Sequence, residues 1–219
     1  MSTPQPAEPG RRSRQKTVGD VLRQDTRNRL LQAAAEEFPA RGYAGTTVAR
    51  LAAAAGVSVQ TLYLAWGSKR ALLRGYMEVT LAGGAGSPED ASRRFAGLPP
   101  RERLAELASL VTEIADRAAT GWALYRDAAA VDTEIAADWN ELQLLRHRLI
   151  SQVLSDIPLT AMTRGLTQKS AADTAWTIAS PESYDLLVHR LGYQLSEFHD
   201  WVEQTLITAI LAGQSEPSC

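Results

Sequence analysis

Between residues 25 and 40 the apolar positions Leu30, Leu31, Ala34, Ala35 and Phe38 recur at helical spacing, with charged and amide residues between them. That period predicts an amphipathic helix, and Gly42 ends it. Thr46 and Thr47 offer an N-cap to VARLAAAA, a short alanine-rich helix over about 47–54. Gly56 breaks it, Ser58 can cap a third helix, and Gly67-Ser68 breaks and caps once more before a fourth at about 68–82. Residues 83–100 (GGAGSPEDASRRFAGLPP) read as a linker, with one helical turn at most.

Beyond Pro100 nothing alternates like a strand. RERLAELASLVTEIADRA, WALYRDAAAV, TEIAADWNELQLLRHRLISQVLSDI, SAADTAWTIAS, SYDLLVHRLG and SEFHDWVEQTLITAILA each follow a period of about 3.6 residues, separated by Gly, Pro or Thr/Asp caps. There is no repeat unit. The expected architecture is all-α: a small N-terminal bundle at 23–75 and a larger helical domain at 76–219. Residues 1–22, rich in Pro, Ser, Gly and charge, are expected to be a disordered basic tail.

Charge adds an asymmetry to this picture. Residues 1–75 hold twelve Lys/Arg against five Asp/Glu, a net +7, whereas residues 76–219 carry a net −9. A basic third on an acidic remainder points to a polyanion partner for the first part. Arg11, Arg12, Arg14 and Lys16 contribute four of those bases, either as a solvated tail or as an arm that tracks phosphates. No apolar stretch approaches the ~18 residues of a membrane span, and the N-terminus lacks a signal-peptide core, so a cytoplasmic protein is expected.

Candidate enzyme chemistry is sparse. The single cysteine, Cys219, excludes an intramolecular disulfide and a cysteine zinc site. His147, His189 and His199 lack metal-ligand spacing, and there is no Gly-rich phosphate loop and no G-x-S-x-G elbow. His199 and Asp200 are adjacent on one helix and are expected to point apart. No catalytic residue, metal or cofactor is expected.

Residues 46–66 carry the strongest signal: two short helices joined by a turn of about four residues containing Gly56, the pattern of a helix-turn-helix. Val48, Leu51, Val57 and Leu62 can pack inward. Ser58, Val59, Gln60, Thr61 and Tyr63 are left outward on the second helix, and small hydroxyl and amide groups suit a major groove.

The run from Thr26 to Leu73 resembles the TetR family of transcriptional regulators. Phe38, Arg41-Gly42-Tyr43, Thr46-Thr47-Val48, Ala55-Gly56-Val57-Ser58, Thr61-Leu62-Tyr63, Trp66 and Ser68-Lys69 match its pattern in order and spacing. The resemblance implies that Thr47, Tyr63 and Lys69 bond phosphates and that Ser58, Val59, Gln60 and Thr61 face bases, with Gln60 the best candidate for specific readout. Trp66 replaces the usual Phe and is expected to lock the recognition helix to its domain. Pro39 departs from the pattern and is expected to end or kink the first helix. Ala65 stands where a large His or Tyr is common, so one phosphate contact is expected to be missing.

For the second domain the resemblance implies an effector cavity and a homodimer. Trp122, Tyr125, Trp139, Gln143 and His147 could line the cavity, or the aromatics could fill a core; an apolar or aromatic effector is mildly preferred. Trp176 and the stripe Leu195, Phe198, Val202, Leu206 and Ile210 are the expected dimer interface, although a core needs the same stripe. The expected function is a regulator, a repressor by the resemblance, that binds a palindromic double-stranded DNA operator as a dimer and is released by a small molecule. The alternatives are a helical small-molecule-binding protein or an enzyme without DNA binding.

Overall fold

The computed structural model describes residues 10–83 and 93–213, with side chains from residue 20 onward. The chain divides into two compact units, Met1–Tyr76 and Met77–Cys219. Among the described residues every named element is helical, apart from one isolated bridge between Met162 and Leu211.

In the first unit, α1 spans Gly10–Gly45, α2 Val48–Ala54 and α3 Val59–Trp66; α4 (Lys69–Ala82) carries the chain into the second. Helix α1 begins at Gly10 rather than near residue 25, which corrects the expectation of disorder for residues 10–22; residues 1–9 lie outside the described residues. The physical reason is cooperativity. Extending an existing helix needs no new nucleus, and the Arg, Gln, Lys and Leu of this stretch are good helix formers. Asp20 pairs with Arg23 at 3.1 Å and Gln24 donates to Asn28 at 3.0 Å, supporting the extension one turn at a time.

Pro39 neither ends nor visibly breaks α1. The non-helical residue is Gly42, at φ 69° and ψ 168°, a conformation that an L side chain rarely adopts. So close to the end of the helix, proline removes one backbone bond and the chain continues. Leu30, Ala33, Ala34 and Phe38 of α1 are buried with Leu51, Ala52, Leu62, Leu72 and Leu73. Thr46 is fully buried, and its hydroxyl hydrogen-bonds to the carbonyls of Glu37 and Gly42 at 3.1 and 2.8 Å, closing the turn between α1 and α2.

The second unit contains α5 (Pro100–Ala129), α6 (Thr133–Ser155), a 3-10 turn at Leu159–Ala161, α7 (Gln168–Ile178), α8 (Pro181–Tyr184) and α9 (Leu195–Ile210). Two sequence expectations change here. Helix α5 runs through Gly121, where a break was expected, because glycine costs a helix interior only ~1 kcal/mol and a long packed helix tolerates that. The end of the expected linker is anchored: Phe95 is 7 % exposed in the core, and Arg94 pairs with both Glu106 and Glu113. Residues 84–92 lie outside the described residues.

The third change concerns α9. Phe198, Val202, Leu206 and Ile210 are all fully buried within the single chain, against Leu104, Leu107 and Ala108 of α5 and Ala171 and Ala175 of α7. They build the core of this unit and leave no surface for a second subunit, which corrects their assignment to a dimer interface. Leu195 is 39 % exposed and Trp176 half-buried. The outward face of α9 is a different one: Trp201, Gln204, Thr205, Thr208 and Ala209 border a shallow depression there.

Candidate DNA-binding helix and effector cavity

Helices α2 and α3 meet at a bend of 97°, within the range of helix-turn-helix pairs. Each is set by its cap. The Thr47 hydroxyl accepts from the backbone N–H of Arg50 at 3.2 Å, and the Ser58 hydroxyl accepts from that of Thr61 at 3.0 Å. Gly56, at φ 63°, makes the turn between them.

The opposite ends of the same helices are held by α1. Arg29 donates to the carbonyls of Ala55 and Gly56, just past α2. Arg27 donates to the carbonyl of Ala65, at the end of α3, and its guanidinium lies 3.8 Å from the centre of the Trp66 ring. Cations at C-terminal carbonyls are favoured by the helix dipole as well as by the hydrogen bonds. Two of the twelve N-terminal bases are therefore scaffold rather than contact surface. Arg41 and Arg50 share the Glu37 carboxylate, which their hydrogen bonds, Arg50 foremost, hold below the usual carboxylate range.

This scaffold presents one exposed face of α3. Val59, Gln60, Tyr63 and Leu64 stand one helical turn apart and are exposed, while Leu62 is fully buried. Ser58 and Thr61 sit at the same end, but their hydroxyls bond one another at 2.8 Å and serve the cap. Leu64, 82 % exposed, belongs to the same face but was not among the outward residues expected from the sequence. Its signal was its place four residues after Gln60. Thr47 is exposed with its hydroxyl hydrogen not needed for the cap.

Lys69 is placed differently from expectation. Its ammonium donates to the carbonyls of Tyr43 and Thr46 at 2.9 and 3.0 Å and lies 3.9 Å from the Tyr43 ring centre. It ties α4 to the α1–α2 turn, so its position makes it a strut of the domain instead of an open phosphate ligand.

In the second unit a cavity of about 310 Å³ lies among α5, α6 and the start of α8. Its walls are mostly apolar, formed by residues such as Leu107, Val111, Ile114, Leu149, Ile150 and Val153; among the described residues Arg146 is the only charged one in the lining, and Ser180 adds a hydroxyl. Of the five expected pocket residues, Trp122 lines this cavity. Trp139 packs edge-on to Trp122 with ring centres 5.4 Å apart and borders a smaller crevice of about 20 Å³. Tyr125 is fully buried and donates to Asp138 at 3.4 Å. Gln143 accepts from Arg146, and His147 pairs with Asp173 at 2.8 Å; neither lines the cavity. The aliphatic lining was missed because Leu and Val at helical spacing look the same around a cavity as in a filled core.

His199 and Asp200 do not point apart as expected: Nδ1 lies 3.2 Å from the carboxylate, and Nε2 lies 3.1 Å from the Ser109 hydroxyl. This has the order of an acyl-transfer triad without its other half. Ser109 sits within α5, where the backbone N–H groups are bonded inside the helix, so its own helix offers no oxyanion donor beside its hydroxyl.

Residues 30–76 match the model of the bacterial regulatory proteins of the tetR family. The structure resembles that of a TetR-family regulator from Rhodococcus sp., with a TM-score of 0.63 and 18 % identity, over 85 % of this chain and 99 % of that one. NalD of Pseudomonas aeruginosa, the secondary repressor of the MexAB-OprM multidrug efflux pump, aligns with a TM-score of 0.67 and 17 % identity over 87 % and 100 % of the two chains. The fatty acid degradation regulator FadR of Bacillus halodurans aligns with a TM-score of 0.63 and 19 % identity over 87 % and 96 %. No protein with a curated description matches the sequence. Residues 30–76 thus carry the amino-terminal domain of the tetR family, and the chain shares the overall fold of these TetR-family structures.

Proposed function

We propose that this protein binds a palindromic DNA operator as a homodimer, through α3 of each copy, and releases it when a small molecule enters the cavity of the second unit. The single observation that carries the reading is the exposed Val59–Gln60–Tyr63–Leu64 face on a helix held at both ends inside a helix-turn-helix. Gln60 suits bidentate pairing with adenine, Val59 and Leu64 suit thymine methyl groups, and Tyr63 and Thr47 suit phosphates. One such helix reads few bases, so two copies on half-sites one DNA turn apart, ~34–36 Å, are required for a specific site. The face of α9 around Trp201, Gln204 and Thr208 supports a dimer contact better than the buried stripe does. Repression is favoured by likeness to NalD, itself a repressor.

The chain passes from one unit to the other within α4, whose Leu81 lines the cavity. An effector that favours one position of α4 shifts the population of dimers whose recognition helices fit successive major grooves. A gel-shift on the DNA upstream of the protein's own gene, at several salt concentrations, tests the reading. A band that weakens with salt is expected. Its absence at every site tried favours the alternative supported by the cavity, a helical small-molecule-binding protein without DNA binding.

A further inference from the structure

We infer that the cavity takes an amphipathic anion: an apolar chain lies along the leucines and valines, and a carboxylate pairs with Arg146. This rests on the reading of the second unit as an effector domain. The cavity is at the small end of the usual range for ligand sites, ~300–1,000 Å³, and its described lining is apolar but for Arg146 and the Ser180 hydroxyl. That cation lacks a counterion. Arg146 Nε donates to Gln143 at 3.2 Å, and Nη1 donates to the carbonyls of Trp176 and Ala179 at 2.8 and 3.1 Å. Among the described residues Nη2 makes no hydrogen bond, and no carboxylate lies within ion-pair distance.

Two other arginines of the unit are matched by carboxylates: Arg94 with Glu106 and Glu113, Arg103 with Asp156. Burial pulls Arg146 down to about 10, with Glu182 opposing at longer range, so it remains charged at neutral pH. Asp173, on the neighbouring α7, is bonded to Lys169 and His147 instead. The Trp176 indole, 5.0 Å from the guanidinium, also has its buried N–H without an acceptor. This corner therefore holds more donors than acceptors beside an apolar hollow. A desolvated, uncompensated cation is costly, and a ligand carboxylate offsets that cost with charge-assisted bidentate bonds.

Titration calorimetry of the full-length protein with decanoate and with decanol, at about pH 7.5 where the acid is ionised, tests the assignment. Decanoate is expected to bind at least about tenfold tighter than decanol, and Arg146→Gln is expected to abolish the preference while Arg146→Lys keeps part of it. Equal binding of the two ligands to the wild type, no binding of either, or a preference surviving in a folded Arg146→Gln overturns the inference. The wild-type comparison stands even if the variant fails to fold. A gel-shift separates the two readings. Decanoate binding that leaves the DNA complex intact counts against release by an effector, and release by decanol alone counts against the anion.

Discussion

A Cβ on Gly75 would lie 2.3 Å from Cη2 and Cζ3 of Trp66, so the six-membered ring of the indole rests directly on the glycine of α4. The pair fixes the end of α3 against α4. Trp66 reaches this far because its fused ring system extends beyond a single six-membered ring, and Arg27 covers the ring.

Gly75→Ala is accordingly expected to destabilise the protein by ~1–3 kcal/mol through overpacking, although alanine is the better helix former by ~1 kcal/mol. In the background of Trp66→Phe the same change should cost much less, or become favourable. Urea unfolding of both single variants and the double variant measures the coupling; additive effects would show that the two residues do not clash.

Lys69→Ala is expected to lower stability by ~1.5–3 kcal/mol through the loss of charge-assisted bonds to Tyr43 and Thr46. Operator affinity should fall without a change in its salt slope. A slope reduced by about one unit would restore the phosphate role.

Gln60→Ala is expected to relax base preference at particular positions, at ~1–3 kcal/mol per site, whereas Tyr63→Phe should weaken all sites alike. Selection of bound sequences from a random DNA pool distinguishes the two. An unchanged preference for Gln60→Ala would remove its base-reading role.

Phe198→Ala should cost ~3–5 kcal/mol of stability as a core truncation, while Thr208→Arg, on the outward face of α9, should leave thermal unfolding nearly unchanged and favour the monomer. Sedimentation velocity checks the second. If Thr208→Arg remains as dimeric as the wild type, the dimer lies elsewhere.

The Glu37 carboxylate titrates below its ordinary 4.5 because Arg50 and then Arg41 bond its ionised form. A depressed folded-state value contributes stability above the unfolded value, and that contribution is lost as pH falls through the folded value. Glu37→Gln should therefore flatten the acid limb of the stability curve below about pH 4.5 and leave the limb above neutrality untouched. Thermal unfolding from pH 3 to 8 reads this directly.

The helices, their order and the helix-turn-helix were legible in the sequence because caps, glycine turns and a period of 3.6 are local signals. Thr47 and Ser58 cap their helices as their sequence positions require. Three things needed tertiary structure. Phe198, Val202, Leu206 and Ile210 show the same spacing whether they face a second subunit or their own chain, and only the packing of α9 on α5 and α7 decided between them. Lys69 is a cation near a helix start in either role, and the carbonyls that hold it lie 26 and 23 residues away. A cavity, finally, is where side chains fail to meet; no run of residues encodes it, because it depends on the distance between helices that are not neighbours in the chain.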